Sequence, residues 1–340
     1  MGRVAGGRHC PESGPEFPVE ELGGTQLDVK DVITKQGMKR SILKSGYLLE
    51  QRVEAVLNEA DYYVETNAAY PDPVTGRSRE VDVVAIGVVR VYAEPAFIFP
   101  TLICECENNA QPAVFFARES PISFLYHLEV RMAGIPVRIL DERRPTDVPG
   151  EEEYVSLSEL LRFADHHHYC RGPVATQYCT FARKNQNTPW VALHSDEQHD
   201  SLTTLINAVE FKIDEHYHAW SPPAVGDSES LNVEFYYPVL VLQGPLYTAR
   251  LERGRLTLER SNHVQYRKEV VCPQGTASYQ IDVVREPYLT RYLELVEAEM
   301  RRAKNVLRRH KGLVQRSIAA IVRDAAHPGE GETVREAMEF

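Results

Sequence analysis

The chain has 340 residues, of which 43% are hydrophobic and 26% are charged, and its formal net charge is −11. This length suffices for two domains or for one elaborated domain, and no apolar run approaches the roughly 18 residues of a membrane-spanning helix. Because non-specific affinity for nucleic acid comes mainly from lysine and arginine, the acidic balance argues against a general polyanion-binding protein, although local basic patches remain compatible with it.

The N-terminal residues 1–25 are rich in glycine, proline and glutamate, and we expect them to be disordered. They lack the apolar centre of a secretory signal peptide. The six cysteines are scattered along the chain, which suits free thiols in a reducing compartment. The sequence therefore predicts a cytoplasmic protein without a membrane segment, ending in a flexible tail over residues 326–340.

The first predicted helix begins near Ser45, a suitable N-cap, and has a narrow apolar face. The apolar residues at helical spacing are Leu49, Val53, Val56, Leu57 and Ala60. Glu50 falls at the edge of this face, whereas Glu54 falls further out. We therefore expect Glu50 to reach a site at the sheet, with Glu54 as the alternative.

Three strands are predicted after this helix. The first covers 62–69, and a hairpin loop at 71–76 leads to a second strand centred on Asp82. The third is a short apolar strand that contains Glu105.

A further helix and strand complete this part of the chain. Ser120 and the following proline indicate a helix that ends at Gly134, and residues 136–140 read as a buried strand. The order helix, strand, strand, strand, helix, strand predicts an α/β (α+β) domain over residues 26–145. We expect its mixed sheet to be covered by helices on both faces.

The remaining residues, 146–325, are predicted to form an accessory α+β region behind a polar loop at 141–153. Its predicted elements are helices at 157–170 and 200–218, a strand at 233–243, a hairpin at 250–259, a strand at 279–284, and a helix at 288–311 capped by Gly312. Two of these strands, around residues 237–243 and 281–284, repeat the pattern of the strands at 99–105 and 81–84 in reversed order. We interpret this echo as shared strand composition rather than duplication.

The acids of the central strands indicate a metal site. Side chains of a strand alternate between faces, so Glu105 and Glu107 point one way while Cys104 and Cys106 point the other. If the two strands pair, Asp82 joins both glutamates at one edge of the sheet. Clustered carboxylates need a counter-charge, and oxygen ligands suit Mg²⁺ or Mn²⁺.

Three stretches together resemble the PD-(D/E)xK nuclease superfamily, which has the restriction-endonuclease-like fold. They are Ser45–Val53 (SGYLLEQRV), similar to the first helix of that family, Gly76–Val84 (GRSREVDVV), similar to its second strand, and Leu102–Asn108 (LICECEN), similar to its third strand. The resemblance covers residues 40–140, and it implies a metal-dependent endonuclease acting on DNA rather than RNA.

The resemblance also implies roles for individual residues. The Asp82 and Glu105 positions hold the metal ion in this family, and Glu50 would complete the metal shell directly or through water. Glu107 would act as a general base or bind a second ion. The residues just past the strand that we expect to contact phosphate or order the site are Asn108, Asn109 and Gln111.

One position departs from the family pattern, because Glu107 stands where the family has lysine. This substitution removes the group that usually steadies the attacking water. It leaves open a catalytically inactive nuclease-fold protein that serves as a binding or assembly subunit. For residues 146–325 we expect a role in specificity, in a homodimer contact or in binding a partner protein.

Other motifs in the sequence give weaker indications of function. The stretch from His166 to Cys170, with Cys179 beyond it, supplies zinc-ligand types but no Cys-x-x-Cys pair, and a helix end with polar histidines is the preferred interpretation. The chain has neither a Gly-Lys-Ser/Thr phosphate loop nor a Gly-x-Ser-x-Gly elbow, which argues against an ATPase and against a serine hydrolase.

Overall fold

The computed structural model describes residues 32–43, 45, 47–73, 75–93, 95–119, 130–141, 153–194, 196–219, 230–272 and 275–325. The two ends expected to be disordered, residues 1–25 and 326–340, lie outside this set. The chain divides into a unit of residues 1–41, which holds most of the exposed helix α1 (Lys35–Ile42), and a unit of residues 42–340 that holds the elements below.

The described part of the larger unit contains six α-helices and fifteen strands. The helices are α2 (Tyr47–Glu59), α3 (Leu157–Leu160), α4 (Phe163–His166), α5 (Asp196–Ala219), α6 (Leu289–Arg309) and α7 (Lys311–Ala325), with 3₁₀ helices at His168–Cys170 and Glu286–Tyr288. The strands are β1 (Tyr63–Pro71), β2 (Ser78–Ile86), β3 (Val89–Arg90), β4 (Phe97–Glu107), β5 (Ala113–Glu119), β6 (Met132–Ile135), β7 (Arg138–Leu140), β8 (Tyr154–Ser156), β9 (Pro173–Ala182), β10 (Val191–Leu193), β11 (Asn232–Leu242), β12 (Leu246–Glu252), β13 (Arg255–Ser261), β14 (His263–Cys272) and β15 (Gly275–Arg285).

Thirteen of the described strands form one mixed sheet in the order β1-β2-β4-β11-β15-β14-β9-β5-β12-β13, with β3, β6 and β10 as short additions at its sides. The strand β2 runs antiparallel to both of its neighbours, β1 and β4, whereas β11 runs parallel to both β4 and β15. Because parallel strands are buried on both faces, β11 reads as a nearly continuous apolar run.

Prolines mark equivalent points in the two central strands, β4 and β11. Pro100 lies between the part of β4 that pairs with β3 and the part that pairs with β2. Pro238 lies in β11 between the part that pairs with β6 and the part that pairs with β15. Since proline donates no ladder hydrogen bond, each sits where the neighbouring strand changes. The similar sequences of β4 and β11 thus correspond to two adjacent central strands, each of which pairs with one short strand before its proline and with a longer strand after it.

Helices cover both faces of the sheet, as expected from the sequence. Adjacent residues of β11 identify the faces: the Tyr236 hydroxyl donates to the Lys212 carbonyl of α5 at 3.3 Å, and the Tyr237 hydroxyl donates to Glu299 of α6 at 3.5 Å. A single hydrophobic cluster runs from Leu49 in α2 to Ile321 in α7.

Several expected elements are confirmed with small changes. The first helix forms as α2, but Ser45 donates its hydroxyl to the carbonyl oxygen of Ile42 rather than capping the helix. The helix expected at 200–218 is α5, and the hairpin expected at 250–259 is β12 and β13.

Other expectations were wrong. The helix expected to end at Gly134 does not reach that residue, because Met132–Ile135 pairs with β11 as β6; residues 120–129 lie outside the described set. The strand expected at 136–140 is β7, which pairs with β8 in a separate small sheet. Gly312 does not end the long helix, since α6 ends at Arg309 and Gly312 lies inside α7.

The boundary expected near residue 145 does not separate two sheets. Residues 42–340 cluster as one compact unit, and β11 pairs along its whole length with β4. The segment expected to be helical at 157–170 is split into α3, α4 and a 3₁₀ turn. Of the helices that the structure describes, none combines the length and apolar character that crossing a bilayer requires.

Candidate acidic metal site and a buried histidine cluster

The ends of β2 and β4 bring two of the predicted acids together. Val83 pairs with Cys104, so the antiparallel register, continued by one residue, sets Asp82 opposite Glu105. The Asp82 carboxylate accepts a hydrogen bond from the Cys106 backbone N–H at 2.7 Å. Pairing of the two strands thus places the acids where the sequence predicted them.

Glu105 is the most strongly perturbed member of this group. Burial first, and then the charge of Asp82, raise the pKa of Glu105 to about 9, and the charges of Glu107 and Glu50 add to the rise. A hydrogen bond from the Asp82 backbone N–H opposes the shift only in part. The other carboxylate oxygen, Oε1, is buried and has no hydrogen-bond donor among the described residues. Glu105 therefore offers an unsatisfied acceptor to a cation.

The helix α2 supplies the next acid. Leu49, Val53 and Leu57 fix the helix on the sheet by burying one face, which leaves Glu50 at the edge of that face. Burial and the charge of Asp82 raise the pKa of Glu50, and burial also raises the pKa of Asp82. This coupling to Asp82 favours Glu50 over Glu54 as the helical member of the site.

Glu107 lies deeper than its position at a strand end would indicate. The residue is 5% exposed, and its backbone carbonyl accepts from the Gln243 N–H just after β11. On β9, burial first raises the pKa of Tyr178, and the charge of Glu107 contributes to a final value of about 12. Glu107 thus lies within electrostatic reach of both Glu105 and Tyr178.

The amides expected to bind substrate have structural partners. Asn108 donates from its side chain to the Ser45 carbonyl at 3.1 Å, which ties the end of β4 to the start of α2. The Asn109 side chain accepts from the Gly244 N–H at 2.8 Å and donates to the Gln111 carbonyl at 2.9 Å. Gln111 itself is exposed. These contacts order the strand ends beside the acids.

The four acids act on one another electrostatically, but their carboxylate oxygens do not lie close enough together to coordinate one ion. Within the described residues, the groups of three or more metal-ligand side chains whose ligand atoms lie within 4.8 Å of one another contain none of them. The donor set itself, all carboxylate oxygen, fits Mg²⁺ or Mn²⁺.

The close groups of ligand side chains lie elsewhere and were missed by the sequence reasoning. They are His168, His263 and Asp282, and His167, His168 and Glu299. The histidines were expected to be polar at a helix end, but His167 is 0% and His168 5% exposed. Among the described cysteines, Cys170 and Cys179 are free thiols outside both groups.

The sequence held one signal for this buried cluster. The Ile-Asp-Val-Val pattern places Asp282 in β15 as Asp82 is placed in β2, so an acid inside an apolar strand marked both sites. His263 and Glu299 gave no such signal, because nothing local connects a strand histidine to a helix acid. Comparisons with family models, with curated proteins and with solved structures found no match.

Proposed function

We propose that this protein is a nuclease that uses Mg²⁺ or Mn²⁺ to hydrolyse phosphodiester bonds, with DNA as its substrate, at the site formed by Glu50, Asp82, Glu105 and Glu107. The observation that carries the proposal is the Glu105 carboxyl group, mostly buried beside other acids and with one oxygen lacking a donor among the described residues. A divalent cation would relieve both the repulsion and the unmet acceptor.

The order of elements supports the same proposal. Along the chain, α2 is followed by β1, β2, β3 and β4, and β5 to β10 with α3 and α4 then precede α5 and β11, which returns parallel to β4. When β3 and these intervening elements are set aside, the remaining elements follow the order helix, strand, strand, strand, helix, strand that the resemblance to restriction-endonuclease-like proteins implies.

The chemistry would divide among the four acids. Asp82 and Glu105 would hold the metal ion, and Glu50 would complete its shell directly or through water. The ion would neutralise the scissile phosphate and lower the pKa of a bound water. Glu107 would accept the proton of that water as its oxygen attacks phosphorus, and the bond from phosphorus to the leaving oxygen would break.

A second candidate is a nuclease-fold protein without activity that binds or assembles with other molecules. Two observations favour it: Glu107 stands in place of the family lysine, and one Asp82 oxygen is already bound to the Cys106 N–H. Such a protein would still have the fold and the acid pair but would not turn over phosphodiesters.

Cleavage of supercoiled plasmid in Mg²⁺ or Mn²⁺ tests the proposal, with a structured RNA as the alternative substrate. Asp82→Asn and Glu105→Gln should each lower the rate by about 100-fold or more, because each removes a ligand charge. Glu80→Gln is the matched control, as this acid is exposed on the same strand, and it should cut normally. Undiminished cleavage by both site variants would refute the assigned site, and no cleavage by the wild type would favour the inactive protein.

The helical member of the site has its own matched pair of variants. Glu50→Gln should weaken Mn²⁺ binding about 10-fold in a calorimetric titration, whereas Glu54→Gln, one turn further along α2, should leave it unchanged. If Glu54→Gln weakened Mn²⁺ binding and Glu50→Gln did not, the helical ligand would be Glu54.

A further inference from the structure

A buried polar cluster lies on the face of the sheet opposite α5, where four elements meet. His168 comes from the 3₁₀ turn after α4, His263 from β14, Asp282 from β15 and Glu299 from α6. Asp282 and Glu299 are 0% and 1% exposed, and the nuclease proposal uses neither of them. Polar groups buried this deeply require partners, and here the partners are one another.

The two imidazole rings converge on one carboxylate. His168 Nε2 lies 3.0 Å from Asp282 Oδ2, and His263 Nε2 lies 2.6 Å from Asp282 Oδ1. The ligand atoms of all three residues lie within 4.8 Å of one another. Two imidazole nitrogens and a carboxylate oxygen at this spacing form a donor set suited to Zn²⁺ and similar ions, in contrast to the all-oxygen acid site.

The far side of the His168 ring is fixed for coordination through Nε2. His168 Nδ1 lies 3.0 Å from both oxygens of Glu299, and Glu299 also accepts from the His168 backbone N–H at 2.6 Å. A carboxylate at one ring nitrogen holds the proton there and frees the other nitrogen as a donor, as is usual for metal-ligating histidines. Glu299 thus occupies the place of an orienting partner.

Asp282 is oriented in a similar manner. The Tyr292 hydroxyl donates to Asp282 Oδ2 at 2.6 Å. A second buried phenol, Tyr169, is 2% exposed, and its hydroxyl interacts with the same Asp282 carboxylate.

The charge of the cluster favours a divalent ion. Asp282 and Glu299 bring two carboxylate charges into the interior, both in contact with His168. A divalent cation bound to neutral imidazoles would cancel both, which removes the cost of a residual buried charge.

We propose that His168, His263 and Asp282 bind one divalent transition-metal ion of the Zn²⁺ class, with Glu299 orienting His168 and Tyr292 orienting Asp282. Each imidazole binds through Nε2, so any proton carried there is released on binding. The ion joins β14, β15 and the turn at His168–Cys170, and this site is independent of the acidic site on the other face.

The test uses the full-length protein, stripped with chelator and then titrated with Co²⁺ and with Zn²⁺. The wild type should bind Co²⁺ at this site with the visible bands of a site that has nitrogen ligands and low symmetry, and Zn²⁺ should remove these bands. His263→Gln should abolish the bands, whereas His216→Gln should keep them. The two rings are closely matched, since His263 is 18% exposed beside Asp282 and His216 is 17% exposed beside Glu234.

Two further variants make the result specific. Tyr292→Phe removes an orienting hydrogen bond but no ligand, so it should retain the bands with about 10-fold weaker binding. The double variant with Asp82→Asn and Glu105→Gln should show the same visible bands as the wild type, which separates this site from the acidic one. Absence of the bands and of stoichiometric zinc in the wild type, or equal binding by His263→Gln, would overturn the proposal.

Discussion

Glu105 shows how a single strand residue acquires unusual chemistry. Its side chain is placed by the alternation of β4, but its pKa is set by residues that come from β2 and α2. A carboxyl group with a pKa near 9 is mostly protonated at neutral pH, so a cation that bound to Glu105 would displace a proton.

This predicts a characteristic pH dependence of stability for the metal-free protein. The folded-state pKa of about 9 lies above the unfolded value of 4.5, so the native state retains a proton that the unfolded chain has lost. The free energy of unfolding should therefore fall as pH rises from 4.5 to 9, by up to about 1.4 kcal/mol per pH unit from this group. Denaturant titrations at several pH values measure this change in the free energy of unfolding.

Two variants test whether Glu105 causes this fall in the free energy of unfolding with pH. Glu105→Gln mimics the neutral carboxyl group and should flatten the slope, whereas Glu80→Gln, exposed on β2, should keep the wild-type slope. Identical slopes for wild type and Glu105→Gln would show that Glu105 titrates normally.

The sequence predicted the direction in which individual side chains point better than it predicted how deeply they are buried. Period-two alternation is local, so the opposite directions of Glu105 and Cys104 followed from β4 alone. The burial of Glu107 and of His168 depends on β9 and α6, which are distant in sequence. No local pattern encodes such contacts.

Among the elements, β6 shows how a glycine permits a close strand contact. Gly134 has φ of +112°, and a Cβ at this position would lie 2.0 Å from the Asn232 carbonyl oxygen of β11. The sequence indicated Gly134 as a helix end, because a glycine with positive φ serves either purpose. Only the pairing of β6 with β11 shows that Gly134 lies in a strand and not at the end of a helix.

Gly134→Ala should therefore destabilise the protein by about 3 kcal/mol or more, because both backbone strain and a clash with β11 result. Gly76→Ala is the matched control: it also has positive φ, +67°, but nothing lies within 4 Å of its added Cβ. Its cost should be about 1 kcal/mol. Chemical denaturation compares the two, and equal midpoints would contradict the assigned packing of β6.

The helices and hairpins with strong local signals were the most predictable elements. α5 has helical periodicity over its length, and the turn between β12 and β13 has Gly254 at φ of +79°. The sequence predicted the end of the long helix at residue 311, close to its observed end at Arg309, but it did not predict that a further helix, α7, begins at Lys311.

For the whole molecule, the large sheet combines strands from both halves of the sequence within one compact unit. The eleven residues of β11 lie between β4 and β15, so strands from both halves of the sequence share the centre. The sequence predicted a boundary near 145 because a polar, proline-rich loop occurs there. A loop signal shows where the chain leaves the core but not whether it returns to the same sheet.

This predicts that the segment 26–145 does not fold alone. Without β11, the edge of β4 and the apolar residues beneath it would be exposed, and the sheet would end in an unpaired hydrophobic strand. Thermal unfolding followed by circular dichroism should show no cooperative transition for this fragment. The longer fragment 26–325 is the control and should unfold cooperatively; a sharp transition in the short fragment would restore the predicted boundary.

Anomalous diffraction from crystals of the protein grown with Mn²⁺ tests most directly the proposal that Glu50, Asp82, Glu105 and Glu107 form a divalent-metal site for phosphodiester hydrolysis. We expect a manganese peak within about 2.5 Å of carboxylate oxygens of both Asp82 and Glu105. Density for manganese only at His168 and Asp282, or none near Glu105 at saturating Mn²⁺, would contradict it.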